Sequence, residues 1–135
     1  MEEIKWSEKH SVGNKQFDAQ HIKLLEIYNE LIDPDKMKTK ERISSQTIKD
    51  LLNFVREHFD DEERFMKKIN YPKINSHIKK HREFHAEVLE FYNDFMFSEE
   101  SLRERIAKYL KNYIEEHLFK DDMDYAIYNK ENPKS

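Results

Sequence analysis

Apolar residues recur along this chain in alternating steps of three and four, the period of one face of a helix. The first such run lies between about Asp18 and Ile32, with His21, Leu24, Leu25, Tyr28, Leu31 and Ile32 on one side, and Asp33-Pro34 ends it. A second begins near Thr39 and passes through Ile48, Leu51, Val55, His58, Glu62, Phe65 and Ile69 as a regular a/d seam, stopping at Asn70-Tyr71-Pro72. Pro72 suits the first turn of a third, which runs through Ile74, His77, His81, Phe84, Val88, Phe91 and Phe95. Ser98 is the expected cap of a fourth, built on Leu102, Ile106, Tyr109 or Leu110, Tyr113 and His117, and Asp121-Asp122-Met123-Asp124 reads as its loosened end. Four such helices on short connections predict an all-α fold, an antiparallel up-down-up-down four-helix bundle. Residues 1–17, with the only glycine and the only tryptophan, are expected as an N-terminal arm along a bundle of residues 18–128, and residues 129–135 as a frayed tail.

Composition narrows the chemistry more than the fold. At 135 residues the chain suits one domain with a core of its own. A charged fraction of 39% leaves no room for a membrane span, and the start of the chain shows no apolar stretch of signal-peptide length, so the expected location is cytoplasmic. Lys and Arg alternate with Asp and Glu at a net charge of −4, which gives no footprint for nucleic acid. Cysteine is absent, which excludes thiolate nucleophiles, iron–sulfur clusters and thiolate zinc sites. Any metal must be held by nitrogen and oxygen.

Polar residues interrupt the seams where packing alone would place Leu or Ile, and that conflict is the functional signal. His58 and Glu62 are four apart on the second helix, His77 and His81 four apart on the third, and each pair projects from the inward face one turn apart. The first helix adds His21, and the fourth adds His117 with Asp122 five residues on. A single seam histidine is ordinarily a satisfied core residue, but a carboxylate such as Glu62 at a buried position is costly unless a cation neutralises it. Five imidazoles and two carboxylates facing one interior are too many for one tetrahedral zinc and too nitrogen-rich for calcium. Two metal ions are the natural solution, iron above all, with manganese, cobalt and zinc as ions that the same cage accepts. If Glu62 and Asp122 bridge both ions together with a hydroxide or oxide, the imidazoles divide three and two and one ion keeps an open position.

These residues resemble the hemerythrin family, and among its members the single-domain bacteriohemerythrins. Trp6, Ser11-Val12-Gly13 and Phe17-Asp18-Ala19-Gln20-His21 resemble the family's arm and its D-x-Q-H opening. His58 to Glu62 resembles H-F-x-x-E, His77 to His81 resembles H-x-x-x-H, and His117 to Asp122 resembles H-x-x-x-x-D. Each motif alone is weak, and the four in order, one per helix, are specific. The resemblance implies a non-haem di-iron centre with His77, His81 and His117 on the saturated iron, His21 and His58 on the other, and Glu62 and Asp122 bridging. It implies reversible binding of dioxygen rather than an enzymatic reaction: an oxygen carrier, storage or delivery protein with an oxygen-consuming oxidase as a candidate partner. It maps an apolar dioxygen pocket onto Leu24, Phe59, Tyr113 and Ile114, with Tyr113 where the family often has Trp. It also selects Asp122 over Asp121. Five residues in an unbroken α-helix turn through roughly 140°, so the helix must loosen after His117. A ferritin-like oxidase would need E-x-x-H and a metalloprotease H-E-x-x-H, and neither occurs. A redox or oxygen sensor would share the same site.

Overall fold

A computed structural model describes residues 1–97 and 101–132, and no strand occurs among them. Helix α1 spans Lys15–Leu31 and opens where the Asn14 side chain accepts the Phe17 N–H. Its buried positions Phe17, His21, Leu24, Tyr28 and Leu31 continue the three-four rhythm. Asp33-Pro34 does more than stop this helix. Asp33 accepts the N–H groups of Asp35 and Lys36, Pro34 takes the first position, and a short helix α2, Pro34–Thr39, follows until Lys40 turns left-handed at φ 54°. The second long helix, α3, therefore starts later than its periodicity implied, at Ser45, capped by Ser44, and runs to Lys68. A positive φ at Asn70 and a bond from Tyr71 N–H to Met66 C=O close it. Helix α4 spans Ile74–Met96 and α5 spans Leu102–Tyr113. Ser98, the expected cap of α5, lies outside the described residues, and α5 follows Ser101.

The fourth helix does not end at Asp121. From Ile114 to Asp121 the backbone widens into a π-helical stretch, and helix α6 then continues in the same direction from Asp122 to Glu131. The loosening falls inside a longer rod, and regular backbone passes beyond Asn129, where fraying was expected to begin. α1 packs on α3, α3 on α4, α4 on α5 and α5 back on α1, the closed ring of an up-down-up-down bundle. The main core contains Leu24, Leu31, Leu51, Phe84, Val88, Ile106, Leu110 and Ile114, none with exposed surface, each stabilising the fold by roughly 1.5–3 kcal/mol. A second apolar cluster of Val12, Phe17, Met66, Ile69, Tyr71 and Tyr125 lies apart from it.

The arm is bonded to the bundle. Asn29 accepts the Ile4 N–H and donates to the Ile4 carbonyl, and the Tyr28 hydroxyl donates to the Glu2 carbonyl. Asp18 accepts from the Ser11 hydroxyl and the Val12 N–H. His10 stacks flat on Phe119 of the π-helical stretch at 3.9 Å between ring centroids. Among the described residues no helix is long and apolar enough to cross a membrane.

Candidate metal centre

α1 supplies His21, α3 His58 and Glu62, α4 His77 and His81, the π-helical stretch His117, and the first residue of α6 Asp122. None of the seven is more than 4% exposed. Their ligand atoms fall into two groups, each lying within 4.8 Å throughout: Glu62, His77, His81, His117 and Asp122 in one, His21, His58, Glu62 and Asp122 in the other. The two carboxylates belong to both. The i→i+5 turns of the π-helical stretch are what bring His117 and Asp122, five apart, onto one face. Asp121 points elsewhere, to Lys80 at 2.7 Å and to the outer nitrogen of His117 at 3.2 Å.

The short distances inside the cluster are mostly not hydrogen bonds. Asp122 Oδ1 lies 2.8 Å from His77 Nε2 and 3.1 Å from His117 Nε2, and Oδ2 lies 3.0 Å from His21 Nε2. Yet both Asp122 oxygens and the Nε2 atoms of His81 and His117 find no properly directed partner among the described residues. His21 Nε2 and His58 Nε2 face each other at 3.1 Å. His77 Nε2 does bond Glu62 Oε1 at 2.9 Å, but the unpartnered oxygens of Asp122 and nitrogens of His81 and His117 converging on a common interior fit a cation, and imidazole with carboxylate suits iron and its neighbours in the first transition row.

Three of the five outward nitrogens are anchored. His58 Nδ1 donates to Gln20 Oε1 at 2.5 Å, His81 Nδ1 to Glu63 Oε2 at 2.7 Å, and His117 Nδ1 to Asp121 Oδ2 at 3.2 Å. Each bond leaves Nε2 bare toward the cluster. The Tyr125 hydroxyl donates to Glu62 Oε2 at 2.9 Å. Sequence reasoning missed Gln20, Glu63 and Tyr125 as parts of the site. Gln20 and Glu63 adjoin ligands and read as surface, whereas Tyr125, three after Asp122, becomes visible once the helix is known to continue.

Without a metal, protons balance the buried charge. Burial would raise the Glu62 carboxyl, but His58, His21 and His77 hold it well below the usual carboxylate range. Asp122 is likewise pulled far down by His117 and His21, against burial and against Glu62. Burial opposes charge on His21 and His77, and the two carboxylates overcome it, raising His21 to about 9 and His77 to about 10. For His58 burial wins and the value falls.

The cluster lies between the two apolar clusters. Phe59 stacks on His81 at 3.9 Å, Phe54 on His58 at 4.8 Å and Tyr113 on His117 at 4.7 Å. Phe17, Tyr71 and Tyr125 meet His58 and His77 edge-on from the other side. The residues mapped to a dioxygen pocket, Leu24, Phe59, Tyr113 and Ile114, all lie in the main core, and the Tyr113 hydroxyl is buried with no partner among the described residues. His10 is occupied in the arm, and His85 is exposed on the outer side of α4.

A family model described as the hemerythrin HHE cation binding domain matches residues 12–126. The chain is 29% identical over 121 residues to a bacteriohemerythrin of Campylobacter jejuni, covering 90% of this chain and 91% of that one. It is 28% identical over 120 residues to a hemerythrin-like protein of Naegleria gruberi, covering 89% and 88%, and 25% identical over 124 residues to a bacteriohemerythrin of Clostridium acetobutylicum, covering 89% and 96%.

Proposed function

Because the chain belongs to the hemerythrin family, we propose that it binds dioxygen reversibly at a pair of non-haem iron ions and serves as an oxygen carrier, store or delivery protein. His77, His81 and His117 would hold one iron, His21 and His58 the other, and Glu62 and Asp122 both, with a hydroxide or oxide completing the bridge. The observation that carries the reading is the inequality of the two groups: three imidazoles against two around the same two carboxylates. One ion has one fewer protein ligand, and a small molecule fills such a vacancy. Two ferrous ions, when bound, supply the electron pair that dioxygen borrows while it is held.

The chain's own residues make the exchange reversible. Leu24 and Ile114 have no exposed surface, and with Phe59 they keep water from the interior, leaving the buried Tyr113 hydroxyl as the one proton donor among the pocket residues. Phe59 and Tyr113 fix the rings of His81 and His117 by stacking. Gln20, Glu63 and Asp121 hold the tautomers that present Nε2 inward. An oxygen-consuming oxidase is the partner that a delivery role calls for.

The test is an electronic spectrum of the iron-loaded chain, reduced without oxygen, exposed to air and then deoxygenated. The reduced form is expected to be colourless, the oxygenated form coloured, and the reduced spectrum to return, with two irons per chain by metal analysis. Direct and irreversible conversion to a ferric spectrum, with peroxide release or oxidation of a substrate, would overturn it.

A further inference from the structure

Three of the five histidines, His58, His81 and His117, have the nitrogen that faces away from the cluster held by a side chain, and the charge of that partner follows the division into two groups. In the three-histidine group, His81 leans on the Glu63 carboxylate at 2.7 Å and His117 on the Asp121 carboxylate at 3.2 Å. In the two-histidine group, His58 leans on a neutral amide, Gln20, at 2.5 Å. The amide's orientation is set by the network around it: Asp61 Oδ2 accepts from Gln20 Nε2 at 3.2 Å and from Gln16 Nε2 at 2.8 Å, so Oε1 must face His58. Asp121 in turn shares its charge with Lys80 at 2.7 Å. The order of negative charge behind the rings is therefore Glu63, then Asp121, then Gln20.

A carboxylate that accepts an imidazole N–H makes the opposite nitrogen a stronger donor and places a negative charge near the cation, and an amide carbonyl does less of both. We propose that these outer partners grade the two metal positions, so that the one built on His77, His81 and His117 fills first and empties last, while the one built on His21 and His58 is labile because Gln20 is neutral. The inference rests on the reading of two metal positions given above. It makes Gln20 and Glu63 positioning residues that set how firmly each metal stays, and the position expected to meet dioxygen the one most easily emptied.

Release kinetics test it without reference to oxygen binding. The chain is loaded with ferrous iron under anaerobic conditions and mixed with excess bipyridine, and the coloured chelate is followed. Two phases of equal amplitude are expected. Glu63→Gln should speed the slow phase by about tenfold and leave the fast phase alone. Gln20→Glu combined with Asp61→Asn, which keeps a donor for the new carboxylate, should slow the fast phase by about tenfold. A damaged fold does not release metal more slowly, so the second variant decides the matter even if the first proves unstable. Two phases that neither variant moves, or a Glu63→Gln change that speeds both equally, would overturn the grading while leaving the metal pair standing. A single phase yielding one iron per chain would overturn the metal pair itself, and the grading with it.

Discussion

His77 and His85 lie eight residues apart on α4, yet His77 is 4% exposed inside the cluster and His85 stands on the exposed side. His85→Ala is therefore expected to keep the full iron content, and His77→Ala or Glu62→Ala to lower it, as metal analysis of the purified variants will show. Equal losses in the His85 and His77 variants would refute the placement. Tyr125 makes a subtler case. Its hydroxyl bonds a buried ionised carboxylate, so Tyr125→Phe should destabilise the metal-free chain by about 1.5–3 kcal/mol, readable as a lower urea midpoint at unchanged slope. Leu24→Asp sets a carboxylate where no surface is exposed, and beyond its cost to stability it should shorten the life of the oxygenated form by admitting water. Much of this scale was legible from the chain. Histidines and a glutamate at a/d positions contradict packing, and the structure brings all of them into one buried cluster. The outer partners were not, because Gln20 and Glu63 border the seam, and only the packed bundle reveals which neighbouring side chain turns toward a ring.

The long helices announced themselves by heptad spacing, and the errors concern their ends. α2 was hidden because Asp33-Pro34 serves as a stop and a start at once: Pro34 ends one helix, and Asp33 caps the next. The wide stretch from Ile114 to Asp121 was foreshadowed only as a conflict of register between His117 and Asp122, and its consequence, a helix that continues through Tyr125, did not follow from spacing. A π-helical turn is in effect an α-helix carrying one surplus residue. Deleting the exposed Lys120 should let the stretch relax to an ordinary α-helix with Asp122 four from His117, still on the same face and still holding metal. Deleting the exposed Lys111 instead should rotate His117 by roughly 100° off the cluster and cost metal. Iron content and helicity measured on both variants distinguish these outcomes. Loss of metal from the Lys120 deletion at unchanged helicity would show that the width itself, and not merely the facing, is required.

At the scale of the whole molecule, stability depends on what neutralises the two buried carboxylates. In the metal-free chain His21 and His77 are raised from 6.5 to about 9 and about 10. Their contribution is complete below pH 6.5 and is lost as pH rises through those values. Glu62 and Asp122 are lowered, so their contribution is present above the ordinary carboxylate range and disappears as pH falls below it. Metal-free protein should thus melt at its highest temperature between about pH 5 and 7 and lose stability steadily toward pH 10. Bound metal takes the place of the two imidazolium protons, so the loaded chain should lack the alkaline decline. Melting curves across pH, with iron and after chelation, check both halves.

The stack of His10 on Phe119 adds a longer reach. Phe119 lies midway between His117 and Asp122, so the N-terminal arm leans on the stretch of backbone that the metals would pull taut. Trypsin cutting after Lys5 or Lys9 should slow when iron is bound and quicken when it is stripped, with His10→Ala cut quickly in either state. A cluster buried at the centre of the bundle would then be readable from outside, as the rate at which the first five or nine residues of the arm are clipped away.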